Sequence, residues 1–337
     1  MRIFLASALW SLFSLSIFAQ RLSLTLPTDN NALARGDLAA FYMPTALKGR
    51  SPESGSWGFV RNVREFPQGR VYTRFHEGLD IRPVARNSRG IPVDPVKAIA
   101  SGVVAYVNPS ASASNYGKYV VVQHNFGYGP MYSLYAHLAS TSVQVGQRIS
   151  QGSVLGVLGS TGSGLNNARA HVHLEFNIML SDRYNQYLNS ANPHGNHNGR
   201  NLSGIDLADI YLKYWKNPQF NLGKHIHGLP QHYRITVPQK RRGPLPIVKR
   251  YPWMKFGNHD KPANSWEMAF TRSGFLIGVA PSNRKVSKPT VTYVRSTAID
   301  HRHYTLGRLT GSGSTATLTS SGERYISLVT DDFSSRN

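Results

Sequence analysis

The 337-residue chain contains no cysteine. That excludes disulfide staples, thiolate metal ligands and a cysteine nucleophile together, so stability must come from packing, with a metal as the remaining staple. Acidic residues are scarce as well: 17 Asp and Glu stand against 38 Lys and Arg, a formal net charge of +21 at pH 7. Such an imbalance favours anionic partners. There is no His-Glu-x-x-His, which removes the glutamate base of that metalloprotease pattern, and no internal repeat of fixed period. Only one apolar run is long. It follows Arg2 and ends at Ala19, reads as a signal peptide over residues 1–19, and implies an exported protein, periplasmic, wall-associated or extracellular, with no transmembrane segment once mature. For an exported chain, anionic cell-wall polymers match the charge excess better than specific nucleic acid does.

Residues 20–56 carry turn signals around Pro27–Asn31 and read as an irregular leader. From Trp57 to Leu180 short apolar, β-branched runs alternate with Gly, Pro, Asn and Ser, the pattern of an antiparallel all-β domain. Strands are expected at Ser101–Val107, Lys118–Gln123, Met131–His137, Val143–Ile149 and Gly152–Gly159. The domain is read as 57–237, with a loop and helix extension after 180 that includes one helix around Ile205–Trp215. Residues 238–250 are a basic, proline-rich linker, and 251–337 a second small β domain with strands at Thr290–Val294 and Arg324–Val329, read as a wall-binding module.

The strongest chemical signal is His171-Val172-His173-Leu174-Glu175-Phe176, because strand alternation puts His171, His173 and Glu175 on one face and the apolar residues on the other. Upstream, His76-Glu77-Gly78-Leu79-Asp80 sets a histidine and a carboxylate four residues apart across a glycine that permits a turn. His76, Asp80 and His173 together offer two neutral nitrogens and one anionic oxygen, a three-ligand zinc set that leaves the fourth tetrahedral position open. In Leu134-Tyr135-Ala136-His137-Leu138, alternation places Tyr135 and His137 opposite Leu134, Ala136 and Leu138, with His137 free to enter a cleft. Glu175 is the candidate partner that holds an imidazole tautomer.

In order and content these segments resemble the lysostaphin/LytM family of zinc metallopeptidases, whose pattern is His-x-x-x-Asp, then Tyr-Ala-His-Leu, then His-x-His. The resemblance covers roughly residues 57–180. It implies a two-sheet antiparallel β fold, sandwich-like, with Zn2+ held by His76, Asp80 and His173, and with His137 and His171 as the catalytic histidines that handle the water and the oxyanion. The implied activity is secreted endopeptidase cleavage of the peptide stem or cross-bridge of bacterial peptidoglycan. The alternative is a catalytically inactive peptidoglycan-binding regulator of another hydrolase. Two departures stand out: Ser163–Ala170 replaces the family's short Gly-Pro approach to His171, and the spacer Arg82–Val96 is long. His225-Ile226-His227 and His301-Arg302-His303 lack a matching carboxylate–histidine pattern and read as exposed loop histidines.

Overall fold

The computed structural model describes residues 22–45, 51–188, 190, 192–217 and 219–333, so the expected signal peptide over 1–19 lies outside the described residues. Within them the strands pair antiparallel throughout, as the alternating runs predict. A hairpin of β1 (Gly58–Phe66) and β2 (Gly69–His76) precedes the main sheet. That sheet contains β3 (Leu79–Ile81), β4 (Pro95–Lys97), β5 (Gly102–Asn108), β6 (Lys118–Asn125), β7 (Pro130–Thr141), β8 (Arg148–Ile149), β9 (Val154–Leu158), β10 (Val172–Met179) and β11 (Leu202–Gly204). Its path runs β11–β10–β7–β6–β5–β8, with β3 also on β10 and a second arm from β7 through β9 to β4.

The long strand β7 joins the two arms. Its residues 131–136 pair with β10, whereas Leu138–Thr141 pair with β9. The change falls at His137, whose φ of 63° lies in the left-handed region. This overturns the simple alternation expected there. Tyr135 and Leu138 both enter the main core, Leu134 and Ala136 pack in a second cluster with Tyr119 and Val121, and His137 faces a cleft. An extended backbone through His137 would have kept it on the face of Tyr135; the positive φ turns it to the other side.

The leader is not a loose approach. Leu22, Leu24, Leu33, Phe41 and Tyr42 are buried in the main core, and Met43 N and Arg82 N bond to Asp80 O and Phe41 O, alongside a short helix α1 (Leu38–Phe41). In the extension, α2 (Tyr184–Leu188) is followed by α3 (Leu207–Lys216), which is capped by the Asp206 carboxylate accepting from Ala208 and Asp209 N–H. Next comes α4 (Leu222–His227), which carries His225 and His227 in a helix rather than a loop.

The second sheet comprises β12 (Tyr233–Pro238), β13 (Ser265–Phe270), β14 (Leu276–Ser282) and β15 (Thr290–Val294), in the order β14–β13–β12–β15. Its β12 lies before the expected boundary at 238, so that boundary cuts through a sheet. Nor is 238–250 an open linker: α5 (Pro246–Arg250) buries Ile247 and Val248 in a core continuous with the first domain. The expected strand at Arg324–Val329 is instead part of α6 (Ser320–Thr330), capped by the Thr319 hydroxyl accepting from Gly322 N–H. Its buried Tyr325, Ile326, Leu328 and Val329 follow the i, i+3, i+4 helical period rather than strict alternation.

Tyr251 locks the two parts together: its hydroxyl accepts from Met179 N–H at 2.8 Å on β10 and donates to Pro130 O at 2.9 Å. Tyr251→Phe leaves a buried donor and a part-buried acceptor without that partner, at a cost of about 1–3 kcal/mol. Denaturant unfolding of the variant checks this. A midpoint equal to wild type would show that the proline-rich segment is not docked as described.

Candidate metal centre

Strand pairing brings the first two candidate ligands together. Asp80 on β3 is the register partner of His173 on β10, so their side chains emerge side by side. His76, at the end of β2, reaches the same point from across Gly78. That glycine is needed for close approach rather than for an unusual φ: a Cβ there would sit 2.5 Å from Leu174 O and 2.9 Å from His173 Nε2. Any side chain would push β3 away from β10.

The three ligand atoms lie within 4.8 Å of one another, and all three residues are buried. His173 Nδ1 is 2.9 Å from Asp80 Oδ1, His76 Nε2 is 3.1 Å from the same oxygen, and the two nitrogens are 3.1 Å apart. Each residue's remaining polar atom is engaged elsewhere. His76 Nδ1 meets Ser56 O at 2.7 Å, Asp80 Oδ2 accepts from Arg61 Nη2 at 2.6 Å, and His173 Nε2 meets Glu175 Oε1 at 2.9 Å. Glu175 is itself held by Tyr116, whose hydroxyl donates at 2.6 Å, and by Asn177 Nδ2 at 3.0 Å. With their outer atoms tied down, Nε2, Oδ1 and Nδ1 are left facing a common centre.

The two auxiliary histidines border that centre. His171 directs Nε2 to Asp80 Oδ1 at 3.3 Å and anchors Nδ1 on Arg169 O at 2.7 Å. His137 anchors Nδ1 on Thr161 O at 2.8 Å, with its ring 4.8 Å from that of His171 and 5.8 Å from that of His173. All five residues expected from the sequence thus meet at one end of a cleft of about 940 Å³.

The electrostatics favour a positive charge at the centre. Burial pushes the His173 imidazolium down, yet the hydrogen bonds and charges of Asp80 and Glu175 outweigh it and raise the group to about 10. Burial likewise pushes Asp80 up, but His76 and His171, with hydrogen bonds from His171 and His173, hold it well below the usual carboxylate range. His137 is different: burial, then the neighbouring His171 and His173, push it down to about 3 and keep it neutral. Burial lowers His76, so one neutral imidazole and a carboxylate-flanked one converge with Asp80 on a common point, and the mixed N and O donor set fits a cation of the Zn2+ class.

Several participants were not legible in the motifs. Arg61 reaches Asp80 only because the β1–β2 hairpin folds back, and Tyr116 reaches Glu175 from the loop before β6. The altered approach loop lines the cleft through Ser163, Gly164, Leu165 and Arg169. The long spacer does not form the rim itself; Arg86 braces the approach loop from outside by donating to Asn167 O at 2.9 Å. The other histidine pairs lie elsewhere. His227 Nε2 contacts Trp253 O, and His301, expected to be exposed, is fully buried between Thr297 Oγ1 and Gly313 O.

Residues 74–189 match the model of peptidase family M23. A cell division protein, DipM, of Caulobacter vibrioides is 33% identical over 107 residues, which is 32% of this chain; the chain spans 17% of that relative's length. Among solved structures, the catalytic domain of the antimicrobial peptidase lysostaphin from Staphylococcus simulans is 27% identical, covering 36% of this chain and 75% of that one at a TM-score of 0.26. A zinc-containing peptidase from Vibrio cholerae is 26% identical, covering 41% and 36% at a TM-score of 0.24. The family match spans the His-x-x-x-Asp, Tyr-Ala-His-Leu and His-x-His segments in their expected order, and residues 74–189 carry the chain's likeness to peptidase family M23 and its LytM-type members.

Proposed function

We propose that this chain is an exported zinc metalloendopeptidase that hydrolyses peptide cross-links of bacterial peptidoglycan. The observation that carries the reading is the convergence of His76 Nε2, Asp80 Oδ1 and His173 Nδ1 beside two further histidines in an open cleft. Zinc held by those three atoms would acidify a water and polarise the scissile carbonyl. Arg61, Ser56 O and Glu175 fix the orientation of the three ligands, so little reorganisation is needed.

The remaining chemistry belongs to His137 and His171. Each ring has Nδ1 on a backbone carbonyl, which can only accept, so Nδ1 carries hydrogen; Nε2 is then the acid–base position, turned in His171 toward Asp80 Oδ1 at 3.3 Å. Neutral, such a ring accepts the proton of the attacking water; protonated, it donates to the developing oxyanion or returns the proton to the departing amine nitrogen. The C–N bond breaks as that nitrogen is protonated, and the water oxygen stays on the new carboxyl group. Export is supported by the charged-then-apolar start of the sequence, and among the described residues no helix is long and apolar enough to cross a membrane. The rival reading, an inactive binder, is disfavoured by the complete set of five residues.

Single replacements separate the roles. His76→Ala, Asp80→Ala and His173→Ala are expected to lose zinc and turnover together, whereas His137→Ala and His171→Ala keep zinc while losing about 10²–10⁴-fold in turnover. Metal analysis beside peptide release from purified sacculi checks both statements. Full zinc content in the first group, or turnover at the wild-type level in the second, would reject the assignment. Glu175→Ala, which frees His173 Nε2, is expected to weaken zinc binding by about 10–100-fold. Competition with a chromophoric chelator measures this, and unchanged affinity would deny Glu175 a positioning role.

A further inference from the structure

The cleft does not end at the edge of the family-matched segment. It adjoins a second cavity, of about 450 Å³, and Glu77, Gly199 and Arg200 line both. The far side of that second cavity comes from the C-terminal unit: Ser273, Arg308, Ser321 and Arg324 line it. A groove therefore leads from the histidine cluster, past the extension, to α6. The core joining the two units is continuous, and Tyr251 ties the second to β10. The C-terminal unit is thus placed to form a wall of the groove rather than a detached module.

The groove is cationic. Arg74 and Arg169 line its inner part, Arg200 the junction, and Arg324 the outer part. None of these four guanidinium groups forms an ion pair among the described residues, in contrast to Arg61, which is committed to Asp80. Arg308 is spent internally, stacked 3.6 Å over the Tyr325 ring and donating to Ser273 O. Apart from Asp80, the acidic side chain lining the two cavities is that of Glu77. Unpaired guanidinium groups spaced along a groove suit carboxylates, which they bind with two parallel hydrogen bonds.

Resting on the peptidase reading above, we propose that Arg200 and Arg324 form an outer subsite that binds the carboxylate-bearing arm of a branched, anionic peptide substrate, while the scissile bond lies at His137 and His171. The chain accordingly prefers cross-links between stem peptides with free carboxylates over neutral oligoglycine bridges. Both arginines are exposed, so each contact is screened by salt and contributes modestly.

The test uses the zinc-loaded full chain and a soluble cross-linked stem peptide in two forms, with its carboxylates free or amidated. Binding is measured by calorimetry on a His137→Ala background, and KM by cleavage with the wild-type residue at 137. The free acid is expected to bind about tenfold more tightly than the amide at 0.05 M salt, with the contrast shrinking at 0.5 M. Arg200→Glu and Arg324→Glu should each raise Kd and KM for the free acid by about threefold to tenfold, and by less for the amide. Arg200→Gln and Arg324→Gln, with melting curves recorded, guard against misfolding and should show a smaller loss in the same direction. Equal binding of acid and amide by the unsubstituted groove would overturn the proposal, as would variants that lose affinity only for a polyanion such as polyphosphate. Failure of the peptidase reading is distinguishable: no form is cleaved, yet the acid-over-amide preference in binding survives.

Discussion

Strand β10 is buried along its whole length, yet one of its faces is apolar and the other polar up to Met179. Val172, Leu174, Phe176 and Ile178 fill the main core, whereas His173, Glu175 and Asn177 occupy the opposite face at 5%, 2% and 1% exposure. Burying such a row without partners would cost several kcal/mol per group, so the surrounding structure must supply hydrogen bonds and compensating charge. Asp80 and Glu175 bracket His173, Asn177 and Tyr116 satisfy Glu175, and Arg61 balances Asp80. Segments outside the family-matched region pack around this strand and its partners. The leader docks on the backbone of Asp80, the extension packs on Tyr116 at Gly199, where a Cβ would lie 2.1 Å from the phenol oxygen, and Tyr251 caps the end of β10.

The histidine-lined face of the cleft depends on one place where β regularity is broken. His137 escapes the core face by a left-handed backbone, a conformation that costs about 1–3 kcal/mol for a residue with a side chain and persists only where the surroundings impose it. Here His137 N–H bonds to Tyr116 O and its ring to Thr161 O, so strain and placement are fixed by the same contacts. Tyr116 therefore serves two ends of the site, anchoring His137 through its carbonyl and Glu175 through its hydroxyl.

The site was largely legible in the sequence, because its chemistry is concentrated in three short segments whose spacing reflects strand geometry. Alternation in β10 predicted the faces of His173 and Glu175 correctly, since that strand is regular. The same rule failed at Tyr135 and Leu138, because no local pattern announces the left-handed residue between them. Arg61 and Tyr116 were missed for another reason: each acts across 19 and 59 residues of chain, a separation that only the folded hairpin and sheet close. The second unit was misjudged where composition stood in for packing. Proline and basic residues at 238–250 resemble a linker, but Ile247, Val248 and Tyr251 are enough apolar surface to dock it. In α6, Tyr-Ile-Ser-Leu-Val carries β-branched residues that suggest a strand, yet the Thr319 cap and the 3.6-residue period prevail.

The placement of a cation on His76, Asp80 and His173 is tested most directly by diffraction from zinc-loaded crystals, with anomalous data on both sides of the zinc edge. It predicts one ion at about 2.0–2.1 Å from His76 Nε2 and His173 Nδ1 and about 2.0–2.2 Å from an Asp80 oxygen, with His137 and His171 nearby but not bound. An ion ligated by His171 or Glu175 in place of one of those three would contradict it.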